Sequence, residues 1–89
     1  MDKATPFEVF AAAACEKAAD MDLDTKVWEK SDRVRVYLTR PGKRGRKEDV
    51  GYVEFVSDED GREFDFHANR VRSWVCSVLE AGQEAVSAQ

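Results

Sequence analysis

The sequence predicts an α+β fold of order α-β-β-β-β-α, in which a four-stranded antiparallel meander sheet carries two helices on one face. Three observations predict it. Apolar residues recur at helical spacing near both ends of the 89-residue chain, alternate with polar ones at period two through the middle, and are punctuated there by short turn-forming stretches. Strands that are apolar on one side only imply a single sheet, with the helices covering that side and water meeting the other.

The first helix is announced by Thr5-Pro6-Phe7-Glu8. Thr5 suits the N-cap, Pro6 occupies a first-turn position whose N–H has no helical partner, and Glu8 completes a capping box. The helix should run to about Asp20, with Phe7, Phe10, Ala11, Ala14 and Ala18 as a narrow apolar stripe. "TKVWEK" then leads into the sheet. Val34, Val36 and Leu38 alternate with Arg33, Arg35 and Tyr37; Val53 and Phe55 with Tyr52 and Glu54; Phe64 and Phe66 with Glu63, Asp65 and His67. Turn residues fall at 31–32, 40–49 and 57–61. A second helix should begin near Asn69 as N-cap, present Val71, Trp74, Val75, Val78 and Leu79 on one face, and fade around Gly82.

At 89 residues the chain makes one domain, 1–89, and 43% hydrophobic with 36% charged residues describes a folding chain rather than a disordered one. No apolar run is long enough to span a bilayer and the N-terminus does not read as a signal peptide, so no membrane contact and a cytoplasmic location are expected. Cys15 and Cys76 have neither zinc spacing nor the density of a disulfide scaffold and read as buried thiols in a reducing compartment.

Charge is segregated along the chain. Net charge is −4, yet residues 33–47 carry seven bases and no acid, while 48–65 carry eight acids and one base. The basic stretch holds Arg40, Lys43, Arg44, Arg46 and Lys47 around Gly42 and Gly45, a tip able to wrap phosphates with salt-dependent, sequence-blind affinity. A solvated hairpin tip is the plainer reading, favoured by the acids that follow. Asp58, Glu59 and Asp60 form an acidic turn too short to supply the six to eight oxygens of a calcium site. Mimicry of a phosphate backbone would need longer regular acids than Arg62 allows.

Pairing the strands so that no charge enters the core places Val36 opposite Val53 and Thr39 opposite Val50, and across the next turn Phe55 opposite Phe64 and Ser57 opposite Arg62. The wet face then displays a row Tyr37, Tyr52, His67 beside a row Arg35, Glu54, Asp65, which Trp28 continues if Val27 points inward. A cation-π contact between Trp28 and Arg33 or Arg35 is within reach. Such a face serves either as cross-strand stiffening or as an interface anchor. Catalysis finds no support: His67 and Asp65 lack a nucleophile, the cysteines sit on core-facing helices, and no phosphate loop follows a strand. No cofactor, metal or enzymatic activity is expected.

With its capped alanine-rich helix, the strands "VRVYLT" and "GYVEFV", the closing helix at 71–81 and charge-segregated surfaces, the chain as a whole resembles the small single-domain proteins of phages and mobile elements, anti-CRISPR inhibitors among them. These share no common sequence signature, so no residue role is carried over. The resemblance implies a non-catalytic protein that blocks a nucleoprotein complex by occupying its surface. Joined to the residues, the reading is inhibition of a CRISPR-type or other nucleic-acid-handling complex, in which the acidic turn meets a basic channel and the aromatic row supplies anchors. The alternatives are a nucleic-acid-binding accessory protein using 40–47 and a structural or toxin-neutralising partner. Oligomeric state is expected to be monomer or weak dimer, since an edge strand can pair between chains and the Lys and Glu residues of "TKVWEK" discourage it.

Overall fold

The structure is a computed structural model that describes residues 4–89. Helix α1 spans Pro6–Asp20. Thr5 is extended, and its hydroxyl accepts the Glu8 N–H at 3.2 Å, as the cap sequence requires. The helix closes through Asp22, left-handed at φ 58°, which lets the Leu23 N–H reach the Ala18 carbonyl at 2.9 Å. Aspartate takes the position usually given to glycine because its short polar side chain tolerates that backbone.

Strands β1 (Asp24–Glu29), β2 (Arg33–Pro41), β3 (Lys47–Asp58) and β4 (Gly61–Ala68) form one antiparallel sheet in the order β1-β2-β3-β4. Val36 faces Val53, Arg35 faces Glu54, Tyr37 faces Tyr52, Phe55 faces Phe64, Tyr52 faces His67 and Ser57 faces Arg62, all as the alternation predicts. The register departs from expectation at one place. Thr39 faces Asp49 rather than Val50, because an irregularity between Leu38 and Thr39 leaves Val50 as an extra residue in β3. The bulge buries Val50 fully and turns its carbonyl to the backbone N–H groups of Asn69 and Arg70, at 2.9 and 3.2 Å. Gly51 beside it has φ 147°, and a Cβ there would collide with the His67 carbonyl oxygen. The strands also run further than predicted, so the irregular part of the 40–49 loop shrinks to residues 42–46, with one 3₁₀ turn at Lys43–Gly45.

Helix α2 spans Arg72–Ser87, starting later and ending later than the sequence suggests. Asn69 is not its cap; the N-cap is Val71, left-handed at φ 38° and 42% exposed instead of lying on the apolar face. Gly82 does not end the helix. It is buried where α2 meets α1, and a Cβ there would fall 2.6 Å from the Phe10 ring, so glycine permits the close approach. Both helices cover the same sheet face. Phe10, Ala14, Ala18, Val75, Val78 and Val86 close over Val34, Val36, Leu38, Val53 and Phe55, and the Phe55 ring lies 4.8 Å from Phe64 and 5.5 Å from Phe10. Val27 shares the face of Val36 but lies beyond the helices, 48% exposed. Cys15 and Cys76 are free and half-buried rather than fully buried. Among the described residues no helix is long and apolar enough to cross a membrane.

Candidate interaction face of the sheet

The sheet face away from the helices organises around one carboxylate. Glu54 stands on β3 between Arg35 of β2 and Asp65 of β4, with 7% of its surface exposed although this is the water side. Its Oε1 accepts from Arg33 Nη1 at 3.1 Å, and its Oε2 from Arg35 Nε and Nη2 at 2.9 and 2.5 Å. Arg33 also donates to both oxygens of Asp32 at 3.2 Å. Strand alternation puts both arginines on this side, and the β2–β3 register brings them to the acid. A partly buried charge pair with both carboxylate oxygens satisfied holds its geometry tightly.

Arg35 is thereby fixed as a flat donor among aromatic rings. Its Nη1 donates to the Tyr37 hydroxyl at 3.1 Å, and its guanidinium carbon lies 4.2 Å from the centre of the Tyr52 ring and 5.5 Å from that of Trp28. The Tyr37 hydroxyl, and after it Glu54, raise the Arg35 pKa above its ordinary value. Lys30 Nζ lies 5.0 Å from the centre of the Trp28 ring. Trp28, predicted to face outward next to an arginine, does so and is 38% exposed. Each such contact stabilises by about 0.5–1 kcal/mol at an exposed site.

The second row continues the array. The Tyr37 and Tyr52 ring centres are 5.7 Å apart, and Tyr52 stacks on His67 at 5.6 Å. His67 does not pair with Asp65. The Asp65 carboxylate accepts the N–H of the next residue, Phe66, at 2.8 Å, while His67 Nε2 lies 2.7 Å from Asn69 Oδ1. Asn69 Nδ2 in turn donates to Asp49 at 2.5 Å. The polar chain His67, Asn69, Asp49 pins the end of β4 to β3, and this occupation of its side chain is why Asn69 does not cap α2.

The charge segregation of the chain becomes a polarity along the sheet. In a meander the β1–β2 and β3–β4 turns lie at one end and the β2–β3 loop at the other. Exposed Asp58, Glu59 and Asp60 therefore sit at the end that carries Asp32, with the Asp60 N–H donating to Asp58 at 2.9 Å. Lys43, Arg44, Arg46 and Lys47 are exposed at the opposite end. Arg40 is separated from them in role: it lies on β2, donates to Glu48 at 2.8 Å and stands over Trp74 at 5.5 Å. The Arg40 hydrogen bond holds the Glu48 carboxyl below its usual range. Arg70, 3.8 Å from Glu48, joins this end, and exposed Arg72 follows it in sequence.

Sequence reasoning assembles Trp28, Arg35, Tyr37, Tyr52, Glu54, Asp65 and His67 on one face, and the structure places them there together. Asp58, Glu59 and Asp60 lie at its acidic end rather than within it. Arg33 was legible by parity but not as a second ligand of Glu54; Arg70 was not, because only the return of the chain at the end of β4 brings it beside the β2–β3 strands. Among the described residues no cluster of His, Cys, Asp and Glu is arranged to hold a metal ion. Comparison with protein-family models, curated proteins and solved structures finds no match to this chain.

Proposed function

We propose that this protein is a non-enzymatic binding module that inhibits a nucleic-acid-handling complex, of the CRISPR effector type, by protein–protein contact through the outer face of its sheet. One observation carries the reading: Arg35 is held by Glu54 and Tyr37 among Trp28, Tyr37 and Tyr52, so the residue types richest in binding energy form one preorganised, partly exposed patch. Side chains already ordered before contact lose less entropy on binding. The acidic end supports the choice of partner. Asp58, Glu59 and Asp60 complement a basic nucleic-acid channel, and charges at the rim of an interface steer encounter while the aromatic anchors slow release.

The test is addition of the purified protein to a panel of guide-loaded CRISPR effector complexes, with binding of target DNA as the readout. Stoichiometric loss of DNA binding by one complex, abolished by W28A/Y52A, is expected. Full DNA binding by every complex, with no protein retained on any of them, removes the reading. A second reading rests on a specific observation: Arg70 and Arg72 add to the basic end beyond the loop itself. On that reading the protein holds nucleic acid directly through Lys43, Arg44, Arg46 and Lys47, with affinity falling steeply as salt rises. A flat salt dependence of any binding, unchanged by K43E/R44E/R46E, excludes it.

A further inference from the structure

The two edges of the sheet are not alike. In the β1–β2 hairpin the Lys30 N–H donates to the Arg33 carbonyl at 2.8 Å, so Lys30 belongs to a hydrogen-bonded pair. By alternation, Trp28, Lys26 and Asp24 bond inward to β2, and the N–H and C=O groups of Thr25, Val27 and Glu29 point to the open edge. All six residues of β1 are exposed. On β4 the same alternation points the N–H and C=O groups of Phe64 and Phe66 to the open edge, but there the Phe66 N–H is taken by the Asp65 side chain and Glu63 and Asp65 flank the edge with negative charge. The β4 edge is partly capped and charged, and among the described residues the β1 edge carries no such cap.

We propose that β1 pairs antiparallel with β1 of a second copy of this chain, joining two four-stranded sheets across a two-fold axis at Val27. The side chains select the register. With Val27 opposite its own copy, the exposed Val27 side chains meet on the helix side of the sheet. On the outer side Lys26 lies opposite Trp28 of the other chain, and Asp24 lies opposite Lys30. Moving the axis to Lys26 sets two lysines against each other, and moving it to Trp28 sets Lys26 against Lys30. Of these three registers only that at Val27 makes every charged neighbour favourable, and an axis at Thr25, which would set Asp24 against Lys26, overlaps only residues 24–26 of the strand. In it Thr25, Val27 and Glu29 exchange about six main-chain hydrogen bonds across the axis. Lys26, which protects this edge against indiscriminate pairing, is met by an aromatic ring in this one alignment. Trp28 and Tyr37 of one chain then continue into the outer face of the other.

Sedimentation equilibrium of the full chain, from micromolar into the millimolar range, tests the pairing independently of any inhibitory function. The wild-type chain is expected to approach twice its own mass. V27K should remain monomeric, and D24K and K30D should each weaken association about tenfold, the effect of roughly 1.4 kcal/mol. Mixing the D24K and K30D chains in equal amounts should restore dimerisation. In that heterodimer the introduced lysine faces the introduced aspartate at one contact, and native Lys30 of the first chain faces native Asp24 of the second at the other. Circular dichroism melting of each variant verifies folding. A wild-type chain that stays monomeric throughout, a V27K chain that dimerises as well as wild type, or a mixture that associates no better than its components overturns the proposal.

Discussion

Removing the Glu54 carboxylate would leave Arg33 and Arg35 facing each other with no shared acceptor, on a face where both are partly covered. E54A is expected to destabilise the fold by about 2 kcal/mol in urea titration, the order of a charge-assisted hydrogen-bond cluster lost at a half-screened site. E54Q, which keeps one acceptor, should lose less. Equal losses for the two would show that the charge, not the acceptor geometry, holds the face. A second residue-scale outcome concerns Glu48. Its folded pKa is lowered by Arg40, so the stability it contributes is present above the ordinary value of 4.5 and is lost as pH falls through the lower folded value. The Glu48 side-chain carboxyl signal in carbon NMR should therefore titrate below 4.5, and R40A should move its midpoint upward. A midpoint at or above 4.5 in the wild-type chain would mean that the pair does not form in solution.

At the scale of elements, Gly82, Val71 and Asn69 mark where local preference and tertiary structure disagree. Gly82 weakens α2 by its own propensity, yet G82A should lose about 1–3 kcal/mol rather than gain, because the added methyl meets the Phe10 ring. Val71 is a β-branched residue held left-handed and exposed, with no side-chain cap. V71G should accordingly stabilise the protein by about 1 kcal/mol, read as a higher urea midpoint at unchanged slope. The same residues explain what was legible. The strands and their registers could be read because a one-residue slip exposes Val34, Val36, Val53 and Phe55 and buries charge. The bulge had one signal, Gly51 inside a strand, but its position could not be read, since Val50 is fixed as the extra residue only when Asn69 and Arg70 arrive to bond its carbonyl. Gly82 looked like a stop signal because its packing partner, Phe10, is distant in sequence. Asn69 looked like a cap because Asp49, which accepts from its side-chain amide, becomes a neighbour only once β3 and β4 pair.

At the scale of the whole molecule, the meander converts a charge pattern along the chain into an acidic and a basic end of a body 43 Å in its longest dimension, with the aromatic and guanidinium face between them. The alignment of Arg35, Tyr37, Tyr52, Glu54 and His67 was visible from period two alone. The burial of Glu54 was not, since a carboxylate on a water-facing strand gives no sign that two arginines will close over it. If the face is the anchor and the ends only steer, the two kinds of variant must separate: loss of aromatic side chains speeds dissociation, and reversal of loop charges changes association and its salt dependence. The most direct measurement is inhibition of target-DNA cleavage by the panel of guide-loaded effector complexes, with W28A/Y52A and K43E/R44E/R46E run beside the wild-type chain. Stoichiometric inhibition of one complex, lost in W28A/Y52A and retained in K43E/R44E/R46E, is the expected result. Inhibition of none, or inhibition that survives W28A/Y52A and disappears in K43E/R44E/R46E, contradicts it.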